Sequence, residues 1–257
     1  MTNTLDSVTA AATDDARAAW EDWRADRLAA VTAAQGNFAL IETRWFVDSD
    51  NHTPGSVDPE DALAGLPDTV SVTRIQRTNI DTSVPEHGVR LWDIASPGIR
   101  SFDTITVFDF DLAWIINATF TPVSSTRTIP FEHIRDNGGS RDLVVPGDIT
   151  FSFRGIDYQL SAFDDGGTLL LVFGDETNGN ADEKLRTYSS GRFLFVRHDD
   201  DEAVLGDPGP VTLDFNRAFV PPCGFSDQYN CPLPPREDRF GFPITAGERD
   251  VLFTPAK

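Results

Sequence analysis

A run of short strand-like segments separated by turns constrains the fold more than any other feature of this sequence. Three of them, residues 148–153, 158–163 and 168–173, are rich in β-branched and aromatic residues. The links between them, 154–157 and 164–167, are Arg-Gly-Ile-Asp and Asp-Asp-Gly-Gly, which are typical of hairpin turns. Because parallel strands need crossovers of about a dozen residues or more, we predict antiparallel pairing here.

Similar segments fill most of the rest of the chain. The further predicted strands are residues 37–47, 70–77, 89–94, 101–110, 113–120, 126–131, 192–197 and 211–215. Many antiparallel strands without long crossover helices predict a mainly β fold, either an antiparallel β-barrel or a two-sheet sandwich.

The two ends of the chain have different patterns. Trp20, Trp23 and Leu28 recur at roughly helical spacing and predict an N-terminal amphipathic helix that ends before Gly36, with its tryptophans on the β body. The region after Val220 is rich in proline and aromatic residues, which favours ordered coil. No repeat or low-complexity linker divides the chain, so we expect one domain, 1–257, with a helical arm (13–35), an antiparallel β body (37–220) and a proline-rich wrap (221–257).

The charge of the chain excludes some partners. The formal net charge is −20 and the pI is about 4.3, so the chain repels phosphate backbones and anionic headgroups, and we expect neither nucleic acid nor membrane as a partner. Lys184 and Lys257 are the only lysines, a bias that a halophile's salt-rich cytoplasm and a GC-rich genome explain equally well. No segment approaches the ~20 apolar residues of a membrane span and no signal peptide is evident, so we expect a cytoplasmic protein.

The common catalytic and cofactor signatures are absent. The sequence has no glycine-rich dinucleotide or phosphate loop, no G-x-S-x-G elbow and no H-E-x-x-H motif, so no cofactor and no metal site is predicted. The segment 175–180 resembles a calcium loop only faintly, and a capped turn is favoured there. Cys223 and Cys231 are expected to be reduced thiols rather than a small disulfide loop.

Three C-terminal motifs carry a family resemblance. They are Thr-Tyr-x-x-Gly-Arg-Phe-Leu at 187–194, Asp-Phe-Asn-x-Ala-Phe at 214–219 followed by Pro-Pro-Cys, and Cys-Pro-Leu-Pro-Pro-x-Glu at 231–237 with a later Ala-Gly-Glu at 246–248. With these motifs the chain resembles the bacterial and archaeal family called domain of unknown function 1684. The resemblance spans nearly the whole chain, and it implies a shared fold without naming an activity. Asp238 is a departure, since asparagine is usual at that position.

The motifs supply a set of candidate ligand-binding residues. These are Tyr188, Arg192, Asp214, Asn216, Arg217, Cys223, Glu237 and Glu248. If Arg192 and Asp214 lie near the ends of neighbouring strands, they can line a pocket for a small polar or anionic molecule, with Arg192 as a bidentate donor and Asp214 or Glu237 as a general base. Whether the protein is an enzyme stays open.

Other interpretations compete with the pocket. Arg192 and Asp214 can instead form a buried ion pair, while Asn216 and Glu237 bond to backbone groups of the irregular coil. The protein is then a non-catalytic structural or protein-interaction module. A metal-dependent hydrolase using the Asp-rich loops is a weaker hypothesis, because it needs at least three converging ligands. The oligomeric state stays open.

Overall fold

The computed structural model describes residues 3–46, 64–78, 84–124, 126–136 and 138–254. The chain divides into two compact units. The first unit comprises Met1–Ala25, Ile105–Pro221 and Cys231–Asp250, and the second comprises Asp26–Thr104, Pro222–Asn230 and Val251–Lys257. The expectation of a single domain stays a prediction.

The described residues are mainly strands, as the sequence predicts. The helices are α1 (Asn3–Val31) and the short α2 (Pro97–Ser101). The strands are β1 (Leu40–Phe46), β2 (Val70–Thr78), β3 (Pro85–Asp93), β4 (Phe102–Val107), β5 (Ile115–Pro122), β6 (Thr128–Glu132), β7 (Ser140–Val144), β8 (Gly147–Phe153), β9 (Ile156–Leu160), β10 (Phe163–Asp164), β11 (Leu169–Phe173), β12 (Arg192–His198), β13 (Gly209–Asp214) and β14 (Glu248–Phe253).

The first unit is built on a seven-stranded antiparallel sheet that curls into a half-barrel. Its strand order is β10-β11-β12-β13-β5-β8-β9. The segment 158–163, expected as one strand, bends at Ser161 and Ala162 instead. Its two parts, β9 and β10, lie at opposite edges of the sheet. This short connection between the two edges is possible only because the sheet curls.

The core of the first unit follows from the period-two pattern of its strands. In β5, Ile116, Ala118 and Phe120 are buried while the residues between them are more exposed. They pack with apolar side chains of the other strands, including Leu171 and Phe215. The indole Nε1 of Trp20 on α1 donates to the carbonyl oxygen of Asn216 at 2.9 Å, which agrees with the expectation that this tryptophan lies on the β body.

The second unit contains a three-stranded antiparallel sheet in the order β1-β3-β2. Phe38 is the centre of an aromatic cluster in this unit, with ring centroids 5.0 Å from Phe102, 5.1 Å from Phe225 and 5.7 Å from Phe253. Such offset and edge-on ring pairs stabilise beyond the apolar area that they bury.

The structure differs from the sequence-based expectation at both ends. Helix α1 begins at Asn3 rather than at residue 13 and ends at Val31. The region 221–257 is not coil throughout, because β14 lies within it and pairs with β4. Within the described ranges, the chain has no helix that is both long enough and apolar enough to cross a bilayer.

Candidate functional site

Arg192 begins β12 and is completely buried. Its Nη2 donates to Oδ2 of Asp175 and to the carbonyl oxygen of Ile244, both at 2.8 Å. Its Nη1 donates to the carbonyl oxygens of Ala246 and of Glu248, the latter at 3.3 Å. Burial lowers the pKa of Arg192 and the charge of Asp175 opposes that shift, so the guanidinium stays a cation. The donors on Nη1 and Nη2 are therefore committed to the protein, while the buried Nε has no hydrogen-bond partner among the described residues.

Asp175 is the buried counterion of Arg192, where the sequence suggested Asp214. Its Oδ1 accepts from the backbone N–H of Thr177 at 2.8 Å and of Ile244 at 3.2 Å. The side chain of Asn178 accepts from the N–H of Asp175 at 2.7 Å. The segment 175–180 is thus a capped turn, and its first carboxylate neutralises a buried cation.

The Asp214 motif forms a separate local network. Oδ2 of Asp214 pairs with Nε of Arg217 at 3.2 Å, and its Oδ1 accepts from the N–H of Asn216 at 3.1 Å. The buried amide of Asn216 also exchanges two bonds of 3.0 Å with the backbone of Asp111. Asn216 therefore holds two loops together, and the backbone that its side chain bonds is that of Asp111 rather than that of the proline-rich coil.

The remaining motif residues are distributed over both units. Oε2 of the buried Glu248 accepts from the N–H of Val220 at 2.7 Å. Tyr188 is half-buried, and its carbonyl oxygen accepts from Nδ2 of Asn178 at 3.1 Å. Cys223 lies in the second unit and Cys231 in the first, and the two are not joined by a disulfide.

Gly191 explains the glycine of the Gly-Arg motif. Its φ is +95°, a conformation that favours glycine. A Cβ at this position would lie 2.5 Å from Cγ of Pro234 and 2.8 Å from the carbonyl oxygen of Phe173. The proline-rich segment therefore packs directly on the backbone before Arg192.

Glu237, the last candidate residue, is exposed and lies on the wall of a cleft of about 500 Å³. The cleft lies between the hairpin strand β6 and the proline-rich segment, which are joined by the bond from the N–H of Leu233 to the carbonyl oxygen of Glu132 at 2.7 Å. The cleft is lined by Ile129, Pro130, Glu132, Leu233, Pro234, Pro235, Arg236, Glu237 and Arg239.

Two arginines of this cleft lack a countercharge. Arg236 and Arg239 are exposed, and neither guanidinium forms an ion pair or a hydrogen bond with any described residue. The carboxylates of Glu132 and Glu237 likewise form no ion pair within the described ranges. Neither arginine was among the candidate residues, although Arg236 lies within the motif of Glu237 and Arg239 lies two residues after it. Their spacing of three residues was the available signal.

Asp238 lies between the cleft residues Glu237 and Arg239 in the sequence, but its side chain is not exposed to solvent. It is fully buried, and its Oδ1 accepts from the N–H of Ser161 at 2.9 Å, at the bend between β9 and β10. Its Oδ2 has no hydrogen-bond partner among the described residues. Burial raises the pKa of Asp238 well above its ordinary value, the bond from Ser161 opposes this, and the charge of Glu237 adds to it.

The hypothesis of a metal-dependent hydrolase lacks its ligands in the part of the chain that the structure describes. No group of three or more His, Cys, Asp or Glu side chains there is arranged to hold a metal ion.

Comparisons with known proteins place the chain in a family. A family model described as "Protein of unknown function (DUF1684)" matches residues 100–249. The solution NMR structure of an uncharacterized protein from Haloarcula marismortui matches with 32% sequence identity, covering 58% of this chain and 77% of that chain, with a TM-score of 0.45. No curated protein matches the sequence.

Proposed function

Because this chain belongs to the family of proteins of unknown function (DUF1684), whose description names no activity, we propose a function from its own geometry: it binds a small anionic molecule in the cleft at Arg236 and Arg239. The observation that carries this proposal is that one cleft is lined by two guanidinium groups that form no ion pair with a described residue. Each guanidinium offers a planar set of donors that matches a carboxylate or phosphate bidentately.

The charge of the whole protein makes the pair more significant. With a formal net charge of −20, the average field around the chain repels anions and attracts cations. Several arginines of this chain form an ion pair with a neighbouring carboxylate, such as Arg141 with Asp136 at 2.7 Å. An anion that approaches Arg236 and Arg239 meets two guanidinium groups that form no ion pair with any described residue.

The wall of the cleft suits a small molecule rather than a simple ion. Pro130, Pro234 and Pro235 present rigid apolar surface, which costs no ordering when a ligand packs on it. A volume of about 500 Å³ lies within the range of small-molecule sites. Glu132 and Glu237 also line the cleft, so an anion that carries a hydrogen-bond donor as well, as citrate and hydrogen phosphate do, is favoured.

The test is a calorimetric titration of the purified protein with citrate and with inorganic phosphate. Arg236→Gln and Arg239→Gln are each expected to weaken binding at least tenfold, about 1.4 kcal/mol, because each removes a charge-assisted donor. The matched control is Arg100→Gln, which removes an exposed arginine of the second unit without a described ion pair. Equal affinity of all three variants and the parent protein, or no binding of either anion, would contradict the proposal.

A further inference from the structure

Arg154 occupies a backbone conformation that arginine rarely adopts. It is the first residue of the two-residue turn between β8 and β9, in which Phe153 pairs with Ile156. Its φ is +52° and that of Gly155 is +79°. Among the described residues other than glycine, only Arg154 has a positive φ. Turns of this kind favour asparagine followed by glycine, so arginine is a strained choice at this position.

The strained turn holds the guanidinium of Arg154 over a group of aromatic rings. Its Cζ lies 5.0 Å from the ring centroid of Phe153 and 5.9 Å from the centroids of Trp114 and Phe242. The rings of Phe153 and Phe242 are stacked with centroids 5.6 Å apart, and Tyr158 meets Phe242 edge-on at 6.1 Å. We call Trp114, Phe153, Tyr158 and Phe242 the aromatic platform. All of its residues and Arg154 belong to the first unit.

The platform is partly open and its cation is uncompensated. Phe153, Tyr158 and Phe242 are half-buried, and Arg154 is exposed. Within the described ranges, Arg154 forms neither an ion pair nor a side-chain hydrogen bond. All five guanidinium N–H groups are therefore available above an apolar surface.

Stability alone does not account for this arrangement. The free energy that an exposed cation–π contact contributes is no larger than the cost of a left-handed backbone conformation in a residue other than glycine. Asparagine at position 154 would form the same turn without that cost. Strain at a residue that makes no hydrogen bond is instead typical of a position kept for binding.

We propose that Arg154 and the aromatic platform form a binding site for a small organic anion with a flat apolar body, such as an aryl carboxylate or sulfonate. The anionic group accepts hydrogen bonds from the guanidinium, and the flat body packs on the half-buried rings of Phe153, Tyr158 and Phe242. This site shares no residue with the Arg236 and Arg239 cleft, and it does not depend on the function proposed for that cleft.

The test uses naphthalene-2-sulfonate as the probe and its neutral counterpart naphthalene-2-sulfonamide, each titrated into the full chain by calorimetry. The sulfonate is expected to bind, and the sulfonamide to bind at least tenfold more weakly. Arg154→Asn, which keeps the Asn-Gly turn, is expected to weaken sulfonate binding at least tenfold while its thermal unfolding midpoint does not fall.

Arg100→Gln is the matched control for loss of one positive charge, and it is expected to bind the sulfonate like the parent protein. Any of three binding results would overturn the proposal: no binding of the sulfonate to the parent protein, unchanged binding to the Arg154→Asn variant, or equal binding of the sulfonamide. A lower unfolding midpoint in the Arg154→Asn variant would also overturn it, because Arg154 would then serve stability.

Discussion

Replacing Asp238 by asparagine is expected to stabilise the protein, by an amount that grows with pH. Asparagine keeps the acceptor oxygen that receives the N–H of Ser161, and its amide nitrogen takes the place of the unpartnered Oδ2. The size and shape of the side chain stay nearly the same. What the variant loses is the ionisable group, and the difference between the two proteins therefore reports the cost of keeping a carboxyl group in this site.

The magnitude follows from the linkage between proton binding and folding. The pKa of Asp238 in the folded protein is raised well above the ordinary value of 3.8, because burial penalises the carboxylate. Between these two pKa values the folded protein keeps a proton that the unfolded chain has lost. The free energy of unfolding then falls by about 1.4 kcal/mol per pH unit through this group. The loss begins near the ordinary value, continues up to the raised pKa, and is constant above it.

The assay is urea denaturation of both proteins at half-unit pH steps from pH 4 to pH 8, with tryptophan fluorescence as the measure of unfolding. The many other carboxylates titrate equally in both proteins and cancel in the difference between their free energies of unfolding. This difference is expected to rise with pH, by at most about 1.4 kcal/mol per unit. Asp142→Asn, a matched change at an exposed position, is expected not to reproduce that slope. A difference that stays constant with pH, or an Asp238→Asn protein that is less stable throughout, would refute the reasoning.

Two further substitutions test the packing around the motifs. Arg192→Ala is expected to lower the free energy of unfolding by about 3–5 kcal/mol, because it leaves Asp175 buried without a countercharge. A loss below about 1 kcal/mol, measured by urea denaturation, would contradict the role of the ion pair. Gly191→Ala is expected to destabilise the protein clearly more than Gly166→Ala in the same assay. Both glycines have a positive φ, but only at Gly191 would the new Cβ lie 2.5 Å from Pro234. Equal losses in the two variants would show that backbone strain alone acts there.

The strands were largely predictable from the sequence, but their order was not. Alternation and turn residues indicate β5, β8 and β11 within a few residues, because the period of two is a local property. The insertion of β13 between β12 and β5 depends on pairing between distant segments, which local sequence patterns do not predict. The mixed and polar sequences of β7 and β14 gave no strand signal, and both were missed.

The candidate site shows the same limit. The motifs singled out Arg192 either as a pocket donor or as the partner of Asp214 in an ion pair, whereas its counterion Asp175 follows from strand register. Because Phe173 pairs with Arg192, the chain brings Asp175, two residues further on, to the guanidinium. The sequence does not show this register. Arg236 and Arg239 lie in a proline-rich segment without periodicity, where a spacing of three residues alone does not show that both side chains share a cleft.

The bonds of Arg192 also bear on the order in which the protein is completed during synthesis. Its guanidinium relies on carbonyl groups of Ile244, Ala246 and Glu248, more than fifty positions later in the chain, and Trp20 relies on a carbonyl 196 positions later. While the ribosome has yet to add residues 244–248, the cation on β12 lacks those acceptors, and burying it is unfavourable. The first unit therefore completes its core only after most of the chain has been made, and contacts of such long sequence separation predict slow folding.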